Sequence, residues 1–160
     1  MTFRIHTYGC QMNVRDSEAV TALLEQAGHQ PVADERKADL VLVNSCSVRG
    51  KAEDKAIGKL RLLVKGRRRH PARIVGVMGC MAQRLGTELF DLVPGLDFVV
   101  GTRAARHVPR LAEAAAAGAG PQAILGRLDD PEVPHLHGQG ALSAFVTVLL
   151  GCNRRCAYCI

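Results

Sequence analysis

The sequence lacks tryptophan and has few other aromatic residues, which make up 4% of its 160 residues. Sheets that bind RNA by stacking bases on aromatic side chains are therefore not indicated. The chain does not open with a positively charged segment followed by an apolar one, so we expect no secretory signal. Its longest apolar run, near residues 144–150, is too short to cross a bilayer. We expect a cytoplasmic protein that does not associate with membranes.

Cysteine, by contrast, is abundant, with six residues. Six cysteines in a secreted chain would suggest a disulfide scaffold, but a thiol-rich chain without an export signal is better interpreted as reduced and metal-binding. With 48% hydrophobic and 22% charged residues, the sequence suits a globular domain with a substantial core.

The last three cysteines, Cys152, Cys156 and Cys159, have the spacing C-x3-C-x2-C and directly follow an apolar run. A loop this short can turn three thiolates toward one 4Fe–4S cluster, which leaves one iron free to bind a substrate or cofactor. The alternatives are a zinc knuckle and a pair of structural thiols. Zinc sites usually combine two C-x2-C units, or one unit with histidines, whereas here only Cys156 and Cys159 form such a unit.

Strands and helices alternate along the first part of the chain. Apolar segments predict strands at residues 2–8, 40–43, 74–78 and 98–100. Apolar residues at helical spacing predict a helix capped by Asn13 and ending before Gly28, and further helices near 47–65, 87–93 and 104–117. This alternation predicts an α/β domain, in which βαβ units form a parallel sheet with helices on both faces.

A cysteine follows each of the first three long strands, and these residues, Cys10, Cys46 and Cys80, lie 36 and 34 residues apart. Since parallel strands end along one edge of a sheet and neighbouring strands are about 4.8 Å apart, the three thiols can meet on one small inorganic cluster. Helix starts after each cysteine favour the thiolate form. Each cysteine alone is equally well explained as a small buried hydrophobe. The repeated position argues against that explanation for all three.

Several motifs resemble known enzyme families. The loop GCNRRCAYC at residues 151–159, with Tyr158 before its last cysteine, resembles the signature of the radical S-adenosylmethionine enzymes. The segments YGCQMN at 8–13, NSCSVR at 44–49 and GCMAQ at 79–83 resemble the amino-terminal domain of the radical methylthiotransferases. The tripeptide QMN at 11–13 resembles the branch of that family that modifies tRNA.

This resemblance implies two 4Fe–4S clusters, with S-adenosylmethionine bound at the second cluster and Tyr158 near its adenine. It implies transfer of a methylthio group to C2 of N6-dimethylallyladenosine beside the anticodon, with the tRNA anticodon stem-loop and a sulfur donor as partners of a monomer. The same chemistry on threonylcarbamoyl-adenosine or on a ribosomal-protein aspartate stays open. So does a non-catalytic, zinc-binding RNA module. The implied ligand sets are Cys10, Cys46 and Cys80 for the first cluster, and Cys152, Cys156 and Cys159 for the second.

The same resemblance divides the chain into three parts. We expect the α/β domain at residues 1–118, a connector rich in Gly, Pro and Asp at 119–141, and the start of a radical S-adenosylmethionine (β/α) barrel, with its first strand, at 142–160. Members of this family continue through a partial barrel and a small RNA-binding domain. The resemblance therefore implies a fragment that is inactive alone.

Positive charge is concentrated between residues 49 and 73. This segment has ten Lys or Arg against two acidic residues, so its charge of +8 exceeds the +6 of the whole chain. Such a concentration favours a polyanionic partner. A stripe of lysines spaced by four on one helix is also simply typical of a solvated helix face. We predict nucleic-acid contacts for the stripe and for the arginine run that follows it, namely Lys51, Lys55, Lys59, Arg67, Arg68 and Arg69.

Overall fold

The structure, a computed structural model, describes residues 1–48, 50–127 and 155–157. Within these residues six strands form one sheet. The strands are β1 (Thr2–Tyr8), β2 (Gln30–Pro31), β3 (Leu40–Ser45), β4 (Ile74–Met78), β5 (Phe98–Val100) and β6 (Gln122–Ile124). Their order in the sheet is β2-β1-β3-β4-β5-β6, and every neighbouring pair is parallel. The predicted α/β class with a parallel sheet is therefore confirmed.

The two central strands form because their sequences are almost entirely apolar. All six residues of β3 and all five of β4 are buried. A strand covered by helices on both faces needs apolar residues at successive positions rather than at alternate ones. This pattern places the sheet at the centre of the molecule, between two hydrophobic cores.

The described helices cover both faces of the sheet, as the sequence predicts. The helices are α1 (Gln11–Gln26), α2 (Gly50–Lys65), α3 (Cys80–Leu85), α4 (Glu88–Leu92) and α5 (Val108–Ala116). One core joins the sheet to α1 and α5, and the other joins it to α2, α3 and α4. None of these helices is long and apolar enough to cross a membrane.

The strand order creates a reversal between β1 and β3. From β1 the chain moves outward to β2, and then returns past β1 to β3 and continues in the other direction. In open parallel sheets, ligands bind beyond the carboxyl ends of the strands at such a reversal. The cysteines that follow β1 and β3 lie on either side of it.

Several local features differ from the sequence-based expectations. Helix α1 begins at Gln11 and its N-cap is Cys10, whereas Asn13 was the expected cap. Helix α2 begins at Gly50 and not near residue 47. The short helix α3 and the strands β2 and β6 were not predicted, and β6 lies inside the segment expected as a connector. The expected barrel strand lies outside the described residues.

Candidate cysteine cluster site

The structure brings Cys10, Cys46 and Cys80 to the ends of three neighbouring strands. Cys10 follows β1 and caps α1, Cys46 follows β3, and Cys80 follows β4 as the first residue of α3. Strand β3 pairs with both β1 and β4, so the three residues share one edge of the sheet. All three are free thiols; Cys46 is buried, and Cys10 and Cys80 are half-buried.

Cys80 lies close enough to Cys46 and Cys10 to be affected by them electrostatically. Burial raises the pKa of Cys80, and the neighbouring Cys46, Asp16 and Cys10 raise this pKa further. A thiolate at this position therefore needs a compensating positive group or hydrogen-bond donors.

Backbone N–H groups of the segment after Cys46 supply such donors. The N–H of Val48 donates to Cys46 Sγ at 3.3 Å. The N–H of Ser47 donates to the sulfur of Cys80, which acts to lower the pKa of that thiol. Hydrogen bonds of this kind stabilise thiolate ligands and tune the reduction potential of an iron–sulfur cluster.

Each cysteine lies where a strand connects to the following helix. Two glycines allow these strand-to-helix connections to approach one another. A Cβ added to Gly9 would lie 2.1 Å from Asn13 Oδ1 and 2.8 Å from Cys46 Cβ. A Cβ added to Gly79, whose φ is +99°, would lie 2.3 Å from Asn44 Oδ1. A side chain at either position would push the connections apart, so the site requires glycine at both.

Two buried asparagines lie between these connections. Asn13 is 1% exposed and Asn44 is 0% exposed. Asn13 Nδ2 donates to Asn44 Oδ1 at 2.9 Å, and Asn44 Nδ2 donates to the backbone carbonyl of Asn13 at 2.8 Å. The sequence-based interpretation missed this pair because it assigned Asn13 to a helix cap. The available signal was a polar Asn44 at the end of the apolar run that forms β3.

The donor set suits a cluster better than a single ion. Among the described residues, no three His, Cys, Asp or Glu side chains are grouped so that they could hold one metal ion. A 4Fe–4S cluster makes a different demand, because its cysteine ligands bind different iron atoms and can stand apart around it. Three free thiols on neighbouring strand ends, two of them receiving backbone hydrogen bonds, fit such a group.

The second cysteine triad falls largely outside the described residues. Cys156 is an exposed free thiol. Cys152, Cys159 and Tyr158 lie outside the described ranges. The second cluster and the S-adenosylmethionine site therefore stay predictions.

A cavity beside the cysteine site contains two of the predicted nucleic-acid-binding lysines. It has a volume of about 230 Å³ and is lined by Tyr8, Gly9, Lys51, Ala52 and Lys55. Both lysines are exposed, and neither has an acidic partner among the ion pairs of the described residues. Gly9 immediately precedes Cys10, so this cavity adjoins the backbone that leads to the first cysteine.

The other predicted basic residues differ in their surroundings. Lys59 Nζ lies 2.5 Å from Glu35 Oε2, so this lysine is paired within the fold. Arg67 forms an ion pair with Asp97 and donates to the carbonyl of Gly95 at 2.6 Å. Arg68 and Arg69 are exposed. The structure thus leaves four of the six residues available to a partner, and nucleic-acid binding stays a prediction for the whole set.

Comparison with known proteins relates this chain to a group of tRNA-modifying enzymes. It is 42% identical over 160 residues to the tRNA-2-methylthio-N(6)-dimethylallyladenosine synthase of Geobacter sulfurreducens. This alignment covers 98% of this chain and 36% of that protein. It is 40% identical over 165 residues to the synthase of the same name from Sulfurihydrogenibium sp.. This second alignment covers 100% of this chain and 38% of that protein. The corresponding protein of Moorella thermoacetica is 40% identical over 164 residues.

The chain therefore spans a little over a third of the length of these curated relatives. Their names confirm the resemblance to methylthiotransferases that the motifs indicate. Residues 2–101 also match a protein family, and this range includes Cys10, Cys46 and Cys80 with the strands that hold them. The chain belongs to that family, which is described as Uncharacterized protein family UPF0004.

Proposed function

We propose that this chain is part of a tRNA methylthiotransferase that transfers a methylthio group to C2 of N6-dimethylallyladenosine beside the anticodon. The observation that supports this most strongly is the convergence of three free thiols at the reversal of the parallel sheet. The names of relatives that align with 98–100% of this chain support the same activity.

In this proposal Cys10, Cys46 and Cys80 hold an auxiliary 4Fe–4S cluster. A second cluster is held by Cys152, Cys156 and Cys159, and S-adenosylmethionine binds there with Tyr158 beside its adenine. When bound, the two clusters supply sulfur for transfer and radical chemistry that activates the acceptor carbon.

The described residues have definite roles in this scheme. The three cysteines bind through sulfur, and the N–H groups of Ser47 and Val48 stabilise two of the resulting thiolates. Lys51 and Lys55 hold a phosphate of the anticodon stem-loop in the cavity beside Gly9. A basic side chain placed there orients the RNA without taking part in the transfer.

Further parts of the proposal concern the whole protein. It works in the cytoplasm as a monomer and receives sulfur from a separate donor. Residues 1–118 form the α/β domain, residues 119–141 connect it to the barrel, and residues 142–160 begin that barrel. Strand β6 pairs with β5, so the first part of the connector also extends the sheet.

Nucleoside analysis of cellular tRNA tests the proposed activity. A strain whose full-length protein has Cys46→Ala should accumulate N6-dimethylallyladenosine that lacks the 2-methylthio group. A matched strain with Gln26→Ala, a change at an exposed position at the end of α1, should keep the methylthio group.

Unchanged methylthio-dimethylallyladenosine in the Cys46→Ala strain would contradict the proposal. Loss of the group from threonylcarbamoyl-adenosine instead would assign the same chemistry to a different substrate. A colourless purified protein that contains zinc, with unchanged nucleosides in the Cys46→Ala strain, would contradict the proposal and favour the non-catalytic zinc-binding module.

A further inference from the structure

Asn13 and Asn44 are fully buried polar residues that have no part in the proposed reaction. Their side chains lie at the centre of the cysteine site, and between them they contact the backbone connected to each of the three cysteines. Burying two amides is favourable only when their hydrogen bonds are satisfied, so their partners define what the pair does.

The first connection is to Cys10. Asn13 Oδ1 accepts the backbone N–H of Cys10 at 3.1 Å, and Cys10 Sγ lies 3.6 Å from the same oxygen. Cys10 is the N-cap of α1, and Asn13 is the third residue of that helix. The side-chain amide of Asn13 therefore holds the backbone of Cys10 in place at the start of α1, and with it the position of the Cys10 thiol.

The second connection is to the end of β3. Asn44 is two residues before Cys46, and its Nδ2 donates to the carbonyl of Asn13 at 2.8 Å and to Ser17 Oγ at 2.9 Å. Both acceptors are on α1, so this single side chain ties the end of β3 to the first turns of the helix that carries Cys10. These two hydrogen bonds from Nδ2 fix the orientation of the Asn44 amide, so that its Oδ1 faces Asn13 Nδ2 and accepts a hydrogen bond from it.

The third connection is to the residue before Cys80. A Cβ on Gly79 would lie 2.3 Å from Asn44 Oδ1 and 3.2 Å from Asn13 Nδ2. The backbone of Gly79 is thus packed against the hydrogen bond that joins the two amides. A displacement of either amide would move the backbone that begins α3, and Cys80 with it.

We propose that the Asn13–Asn44 pair is a positioning element that sets the relative placement of the three thiols. An apolar side chain at position 13 would leave the N–H of Cys10 without its acceptor. An aspartate there would keep that acceptor but place a second oxygen against Asn44 Oδ1. This inference rests on the proposed function, because it assumes that the three thiols serve one cluster.

Iron binding in the full-length protein tests the inference without relying on enzymatic activity. A parent variant with Cys152→Ala, Cys156→Ala and Cys159→Ala leaves iron only at the first site. Adding Asn13→Ala should lower the affinity for iron, measured by competition with a chelator, by about ten- to a hundredfold, which is typical for residues that orient metal ligands. The electron paramagnetic resonance spectrum of the reduced cluster should also change.

Leu24→Ala provides a control for general destabilisation. Leu24 is fully buried on α1, and it lies 14 residues, or about 21 Å, from Cys10 along the helix. This variant should unfold more easily while its iron affinity and spectrum stay those of the parent. Asn13→Asp should bind iron with intermediate affinity, and it provides a second variant if Asn13→Ala does not fold.

The results separate this inference from the function on which it rests. A parent that binds no iron would overturn the cluster site and the positioning role together. An iron-containing parent whose affinity and spectrum are unchanged by both Asn13 variants would overturn the positioning role alone. Equal losses in Leu24→Ala and Asn13→Ala would also overturn it, because they would show an effect of stability only.

Discussion

At the scale of single residues, the three lysines spaced by four on α2 have different surroundings although their spacing is regular. Lys51 and Lys55 border the cavity beside Gly9, whereas Lys59 reaches Glu35. A lysine that already forms an ion pair within the fold contributes less free energy to phosphate binding than a lysine without an acidic partner. We therefore expect only the first two to contribute strongly to tRNA binding.

Salt dependence distinguishes these lysines. Each phosphate contact contributes roughly 0.7–0.9 to the slope of log affinity against log salt concentration. In the full-length protein, Lys51→Gln combined with Lys55→Gln should lower that slope for an anticodon stem-loop by about 1.4–1.8. The matched variant Lys59→Gln should leave the slope unchanged, and equal effects in the two variants would contradict the assignment.

The cysteines and the lysine spacing are visible in the sequence, but their partners are not. Cys10, Cys46 and Cys80 stand out because each follows an apolar strand. Glu35, the partner of Lys59, lies 24 residues earlier in the chain. The role of Asn13 was also hidden, because an asparagine near a helix start is typical of a cap. Its buried side chain contacts Asn44, 31 residues away.

At the scale of secondary-structure elements, Glu35 joins three of them. It belongs to the 3₁₀ turn Glu35–Lys37 and contacts His6 on β1 and Lys59 on α2. Burial acts to raise the pKa of Glu35, but hydrogen bonds from Lys59 and His6 outweigh it and hold this pKa below its ordinary value of 4.5. The ionised carboxylate thus stabilises the packing of α2 near β1.

The lowered pKa predicts a dependence of stability on pH. Because the pKa of Glu35 is lower in the folded state, its stabilising contribution is complete above pH 4.5 and is lost as the pH falls through the folded value. Between pH 6 and pH 3.5, Glu35→Gln should therefore lose less free energy of unfolding than the wild type in urea titrations. Glu88→Gln, a change at an exposed residue of α4, should follow the wild type. Parallel curves for wild type and Glu35→Gln would contradict this role.

The apolar strands were predictable from sequence, whereas several of the short elements were not. Strands β3 and β4 are apolar runs that only a buried strand explains well. Strand β6 has three residues and helix α3 has six, too few to display a period. Strand β6 is held by its pairing with β5, and such tertiary interactions outweigh the weak local preference of its residues.

At the scale of the whole molecule, the strand order determines what the cysteines can do together. Alternating strands and helices predict a parallel sheet, but they do not specify that β1 lies between β2 and β3. That order places β1, β3 and β4 side by side, so all three cysteines lie at one edge. Had β2 separated β1 from β3, Cys10 would have stood apart from the other two thiols.

These three strand ends are proposed to hold one iron–sulfur cluster. The most direct measurement is the metal and sulfide content of the anaerobically purified full-length protein in which Cys152, Cys156 and Cys159 are changed to alanine. We expect about four irons and four sulfides per chain, and loss of both when Cys10, Cys46 or Cys80 is also changed to alanine. Zinc in place of iron, or iron that survives Cys46→Ala unchanged, would contradict it.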